Sequence, residues 1–125
     1  MFNLILVAIG GAVGASLRHL VNLAALRVVG AGFPWGTFAI NVAGSLAMGV
    51  FIELLARRFN ASNELRLFVA TGILGGFTTF SAFSLDFAVL WQRGEIVPAF
   101  GYALGSVIVS ILALFLGLWL ARSFS

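Results

Sequence analysis

The sequence predicts an all-α membrane protein with four transmembrane helices, and three observations carry that prediction. Of its 125 residues, 62% are apolar and only 9% are charged, against about 25% charged in an ordinary soluble domain. Such a chain cannot cover a water-facing surface. Four apolar stretches each reach the roughly 20 helical residues that cross a hydrocarbon core of about 30 Å. The linkers between them are short and rich in helix breakers, so the chain reads as a single transmembrane domain over residues 1–125.

The first helix is expected at about 2–29; it is uncharged from Phe2 to Leu17 and then carries Arg18 and Arg27. No basic residue precedes its apolar run, which argues against a cleaved leader. Gly30-Ala31-Gly32-Phe33-Pro34 ends it. The second, 33–52, has no charge, and a polar hinge from Glu53 to Arg66 follows, containing Arg57, Arg58, Asn60, Ser62, Asn63 and Glu64. The third, 67–91, contains one charge, Asp86. Gln92-Arg93-Gly94-Glu95 turns the chain into the fourth, 96–121, which is uncharged. Trp35, Trp91 and Trp119 fall near helix ends, where indole rings favour the membrane interface.

Composition also excludes chemistry. With no cysteine and a single histidine, His19, a disulfide scaffold, a thiolate nucleophile, a zinc site and a Ser-His-Asp triad are all disfavoured. No enzyme is expected. The net charge of +3 comes from scattered arginines, of which only Arg57 and Arg58 adjoin, so no nucleic-acid footprint is present. With four crossings, Arg57, Arg58, Arg66 and Arg122 share one side, against Arg27, Arg93 and, if it reaches that surface, Arg18. So slight a bias fits either a modest preference for the hinge side inward or insertion both ways round as an antiparallel homodimer. An oligomer is expected in either case.

The glycine pairs Gly10/Gly14, Gly72/Gly76 and Gly101/Gly105, with Gly44 and Gly49, let helices approach closely. Against that tight background the polar groups stand out. Asn41 lies mid-span with Ser45 one turn away. Tyr102, Ser106 and Ser110 recur at i, i+4 and i+8, which aligns three hydroxyls on one helix face. In the third span, Gly75-Gly76-Phe77-Thr78-Thr79 is a poor helix former, and a break there would free backbone groups that lipid does not tolerate unpaired. Carbonyls such as those of Gly75 and Thr78 would suit a small cation. Phe80 and Phe83 share a face beyond the break, and their ring edges, the positive part of the aromatic quadrupole, would favour an anion. Arg18 either snorkels or lines a wet vestibule.

Amide and hydroxyl donors, ring edges and a basic mouth, with no embedded acid except Asp86 near one end, describe a path for a small anion. Two other readings compete with it. A cation exporter would require Asp86 or Glu53, and a structural subunit of a larger complex would use Asn41 and the serines as packing glue.

Gly10-Gly11-Ala12-Val13-Gly14-Ala15 with Arg18, Gly36-Thr37 with Asn41 and Gly44-Ser45, and above all Gly75-Gly76-Phe77-Thr78-Thr79-Phe80-Ser81 with Phe83-Ser84, resemble the Fluc (CrcB) family of fluoride channels. The likeness spans all four helices. It implies a passive, fluoride-selective channel in a bacterial inner membrane, working as a dual-topology antiparallel homodimer with two pores. Its partners would be fluoride and membrane lipids, and no organic cofactor would be needed. By the same likeness Asn41 is the pore amide, Phe80 and Phe83 the ring-edge pair, and Tyr102, Ser106 and Ser110 the hydroxyl track. The likeness would also put Thr79 on the pore and Arg18 in the vestibule, and would have Gly75 and Thr78 give backbone carbonyls to a structural sodium ion. The chain departs from the family's common pattern at His19, Ala82 and Asp86.

Overall fold

A computed structural model describes residues 1–57 and 62–124, with Arg57 described by its backbone alone; Arg58 and Asn60 of the hinge lie outside the described residues. Four stretches are long and apolar enough to cross a membrane: Phe2–Val29, Trp35–Ala56, Asn63–Gln92 and Ile96–Ser123. Three are continuous, namely α1 (Phe2–Val29), α2 (Trp35–Arg57) and α6 (Ile96–Ser123). The third is composite. It runs through α3 (Asn63–Arg66), a π-helical segment (Leu67–Leu74), α4 (Gly75–Phe77) and α5 (Ser81–Gln92).

Local chemistry sets each end. Gly30 leaves α1 at φ 78° and Gly94 separates α5 from α6 at φ 81°, a left-handed backbone that glycine adopts without steric cost. The second helix starts at Trp35 rather than at 33, because Pro34 pushes Phe33 out of the helical region. It also runs on past Glu53. That carboxylate is buried and accepts from Nε and Nη2 of Arg122 on α6 at 3.1 and 2.9 Å. A charge paired in this way no longer ends the span. The third span starts four residues earlier than expected, at Asn63, because the Ser62 hydroxyl accepts from the Leu65 N–H at 3.2 Å and caps the first turn.

Two helix pairs dominate the packing: α1 against the third span, and α2 against α6. Glycine makes both possible. A Cβ on Gly14 would run into the backbone of Ile73 and Phe77, and one on Gly76 would lie 2.7 Å from the Gly11 carbonyl oxygen. Across the other pair, a Cβ on Gly117 would sit 3.2 Å from Gly49 Cα. Gly44 and Gly49, five positions apart, serve different neighbours: Gly44 faces the Thr78 side chain and Gly49 faces Leu114. Gly101 meets nothing within 4 Å and Gly105 meets only the Phe38 side chain, at 3.9 Å, so neither brings a second backbone close within the chain.

The fully buried core is thin, with Tyr102, Ile40 and Leu90 as its largest side chains among the described residues. Leu4, Val97, Leu112, Phe115 and many other large apolar residues lie exposed. In water such a surface would aggregate, whereas hydrocarbon is its natural solvent.

Candidate functional site

The site is built where the third span leaves helical geometry. Backbone torsions are helical at Leu74 and Gly75 but extended at Thr78 (φ −81°, ψ 158°), and α5 resumes only at Ser81. In a continuous helix the Thr79 N–H would serve the Gly75 carbonyl and the Ala82 N–H would serve that of Thr78. Here both go elsewhere: Thr79 N–H donates to Asn41 Oδ1 at 2.9 Å, and Ala82 N–H donates to the Thr79 hydroxyl at 3.2 Å. The Asn41 amide returns a bond from Nδ2 to the Thr79 carbonyl at 3.0 Å. Arg18, half-buried on α1, donates from Nε to the Gly76 carbonyl at 3.2 Å. Its guanidinium therefore supplies a donor to a carbonyl of the interrupted span.

Thr78 turns its hydroxyl back to the Leu74 carbonyl at 3.0 Å. Three serines do the same one turn along their own helices: Ser16 to Ala12, Ser84 to Phe80 and Ser123 to Trp119. This back-bonding is the usual fate of a membrane serine. Ser106 and Ser110 depart from it, for their buried hydroxyl oxygens have no hydrogen-bond partner. A buried hydroxyl left unpaired costs about 1–3 kcal/mol, so two in one row mark a place with unused hydrogen-bonding groups.

That place is a cavity of about 330 Å³ between α2, the interrupted span and α6. Its lining brings together Asn41, Ser45, Thr79, Phe80, Phe83, Ser106 and Ser110, with Gly44, Met48 and Leu114 closing the sides. The Phe80 and Phe83 ring centroids are 5.6 Å apart and tilted by 45°. Asn41 has two amide hydrogens and commits one to Thr79, leaving the other available to whatever enters. Neither Glu53 nor Asp86 lines this space.

Tyr102 does not line it either. Its ring packs on Phe83 at 5.2 Å and its hydroxyl donates to Asp86 Oδ2 at 3.1 Å. The i, i+4, i+8 row is therefore divided: Ser106 and Ser110 face the cavity, and the longer tyrosine points past it. Asp86 faces a second cavity, of about 280 Å³, at the end of the bundle that carries the Gly30–Trp35 and Arg93–Glu95 turns. Through Tyr102, which touches Phe83 of the first cavity and bonds Asp86 of the second, the two linings are connected.

Sequence reasoning missed the bonds from Arg18 to Gly76 and from Asn41 to Thr79, which join residues 58 and 38 positions apart. The signal that could have found them is the poor helix former itself, since each interrupted backbone group requires a partner from another span. Among the described residues, no cluster of three or more His, Cys, Asp or Glu side chains could hold a metal. The donors available to a hard cation are backbone oxygens, and those of Gly75 and Thr78, whose helical N–H partners are diverted, have the right chemistry.

Comparison with known proteins gives the chain a family. The family model described as "CrcB-like protein, Camphor Resistance (CrcB)" matches residues 5–118. Over 123 residues, the chain is 72% identical to a protein of Mesorhizobium japonicum named "Fluoride-specific ion channel FluC", covering 98% of each. Proteins of the same name from Chelativorans sp. and Agrobacterium fabrum are 64% and 53% identical over the same coverage.

Proposed function

The chain belongs to the CrcB family, and from that premise we propose that it is a passive, fluoride-selective channel through which the ion leaves the cell down its electrochemical gradient. The family is one of ion channels, not of enzymes. The observation that carries the reading is the pair of unpartnered hydroxyls, Ser106 and Ser110, facing Asn41, Phe80 and Phe83 across one cavity. Fluoride is small and strongly hydrated, so it enters a dry space only where close donors replace its water. Serine O–H groups and the spare Asn41 hydrogen are such donors. Phe80 and Phe83 offer ring edges at the mouth of the same space. Because Asn41 and Thr79 hold each other, the amide stays aimed without a positive charge that would trap the ion.

Thr79 contributes by fixing that geometry. Tyr102 supports Phe83 from behind and continues the polar line toward Asp86. Arg18 lies at a vestibule and pins the Gly76 carbonyl. The working unit is an antiparallel homodimer of dual topology in the bacterial inner membrane, with lipid on its apolar faces and one pore for each chain. A sodium ion held by the Gly75 and Thr78 carbonyls of both copies would supply a fixed positive centre for oxygens that the interrupted helix leaves without their N–H donors. Glu53 is committed to Arg122 and Asp86 to Tyr102, which weighs against a carboxylate-driven cation exporter.

The test is efflux from liposomes containing the purified protein, read with a fluoride electrode. Release of fluoride well above that from empty vesicles, with chloride retained, is expected; fluoride retention by correctly assembled protein would overturn the reading. Ser106→Ala separates this reading from packing glue. Deleting a hydroxyl that bonds nothing should leave the melting temperature unchanged or slightly raised, while flux falls about fivefold, the worth of roughly 1 kcal/mol of lost hydrogen bonding. Loss of stability with unchanged flux would favour glue.

A further inference from the structure

Arg93 and Glu95, beside the second cavity, have no part in the mechanism above. This cavity, of about 280 Å³, lies against the Gly30–Trp35 turn, and the two charged side chains in its lining are Asp86 and Arg93. Thr37 and Asn22 add polar atoms to its wall. Asp86 is held by the Tyr102 hydroxyl at 3.1 Å. Arg93 sits at the rim, where Nη1 donates to the Gly32 carbonyl at 3.4 Å and ties together the two turns at this end of the bundle. Glu95 stands 3.8 Å from the same nitrogen, and both side chains are about half exposed, at 45% and 48%.

An anion crossing this cavity meets a fixed carboxylate. Left uncompensated in a low-dielectric wall, Asp86 would repel the ion the central cavity is built to accept. We propose that the cavity is the anion mouth at this end of the channel, and that Arg93 keeps it passable by offsetting Asp86 while Glu95 moderates Arg93. The inference rests on the channel reading and adds a residue that sets its throughput. Arg93 is a positioning and electrostatic residue, not one of the pore donors. Charge at a water-filled mouth acts on the local concentration of the permeating ion, and salt screens it over about 10 Å at 0.1 M.

The signature is therefore a dependence on ionic strength. In liposomes at about 10 mM salt, Arg93→Gln should lower fluoride flux about threefold, Arg93→Lys should retain it, and Glu95→Gln should raise it. At about 1 M of an impermeant salt the three variants and the parent should converge. An Arg93→Gln flux equal to the parent at low salt would overturn the proposal. So would a deficit that persists unchanged at high salt, because that pattern belongs to a loosened turn at Gly32 and not to charge. Glu95→Gln guards against the same confusion, since it leaves the Arg93–Gly32 bond in place and must shift flux in the opposite direction. Parent protein that releases no fluoride at all would refute the channel reading itself, an outcome distinct from each of these.

Discussion

Asn41→Asp is expected to abolish fluoride conduction while leaving the protein able to fold. The change keeps Oδ1, so the Thr79 N–H retains an acceptor, but it replaces the Nδ2 donor that now serves the Thr79 carbonyl. Two consequences act in one direction. The spare amide hydrogen facing the cavity is lost, and a negative charge enters a space meant for an anion. At about 5 Å and an effective dielectric of about 20, two like charges repel by about 3 kcal/mol, which lowers occupancy more than a hundredfold. Efflux indistinguishable from empty liposomes is the expected result, with a melting temperature lowered by loss of the Nδ2–Thr79 bond but assembly retained on size exclusion. Retained conduction would take Asn41 off the path and leave it only as the brace of Thr79.

The second large effect is expected at the phenylalanine pair. Phe83→Ile removes a ring that touches both Phe80, at 5.6 Å, and Tyr102, at 5.2 Å, and it keeps most of the apolar volume. If the ring edge stabilises the ion, its loss should cost about 1–1.5 kcal/mol and reduce flux about tenfold. Phe80→Ile should act similarly with less effect on stability, since Phe80 is 78% exposed in the single chain and supports little else. Electrode-monitored efflux, paired with size-exclusion profiles to verify assembly, measures both. Unchanged flux in both variants would mean that the rings merely fill space.

Much of the architecture was legible because its causes are local. Apolar runs with few charges, bounded by glycine, proline and arginine, specify four spans whatever they pack against, and the turn at Gly94 needs only its neighbours. The same holds for Ser106 and Ser110, where a four-residue interval puts two hydroxyls on one face. Tyr102 shows the limit of such counting: spacing fixes the direction of Cβ, and the extra reach of the ring carries the hydroxyl to Asp86 instead. What stayed hidden depends on partners distant in sequence. Glu53 reads as the start of a hinge until Arg122 is found beside it, and Asn41 reads as a lone amide until the Thr79 backbone is seen to need it. The π-helical turn from Leu67 to Leu74 has no compositional mark; it lies where Gly10 lets α1 come against Phe68 and Gly72, backbone to backbone.

The clasp between Asn41 and Thr79 joins an earlier segment of the chain to a later one. Its two halves are 38 residues apart, and the half that cannot tolerate lipid alone is the later one. During synthesis from the N-terminus, the segment with the amide is already in the bilayer when the segment with the exposed peptide groups arrives. A rearranged gene that delivered those segments in reverse order would strand the peptide groups without their partner, and the product should be cleared by quality-control proteases before it matured.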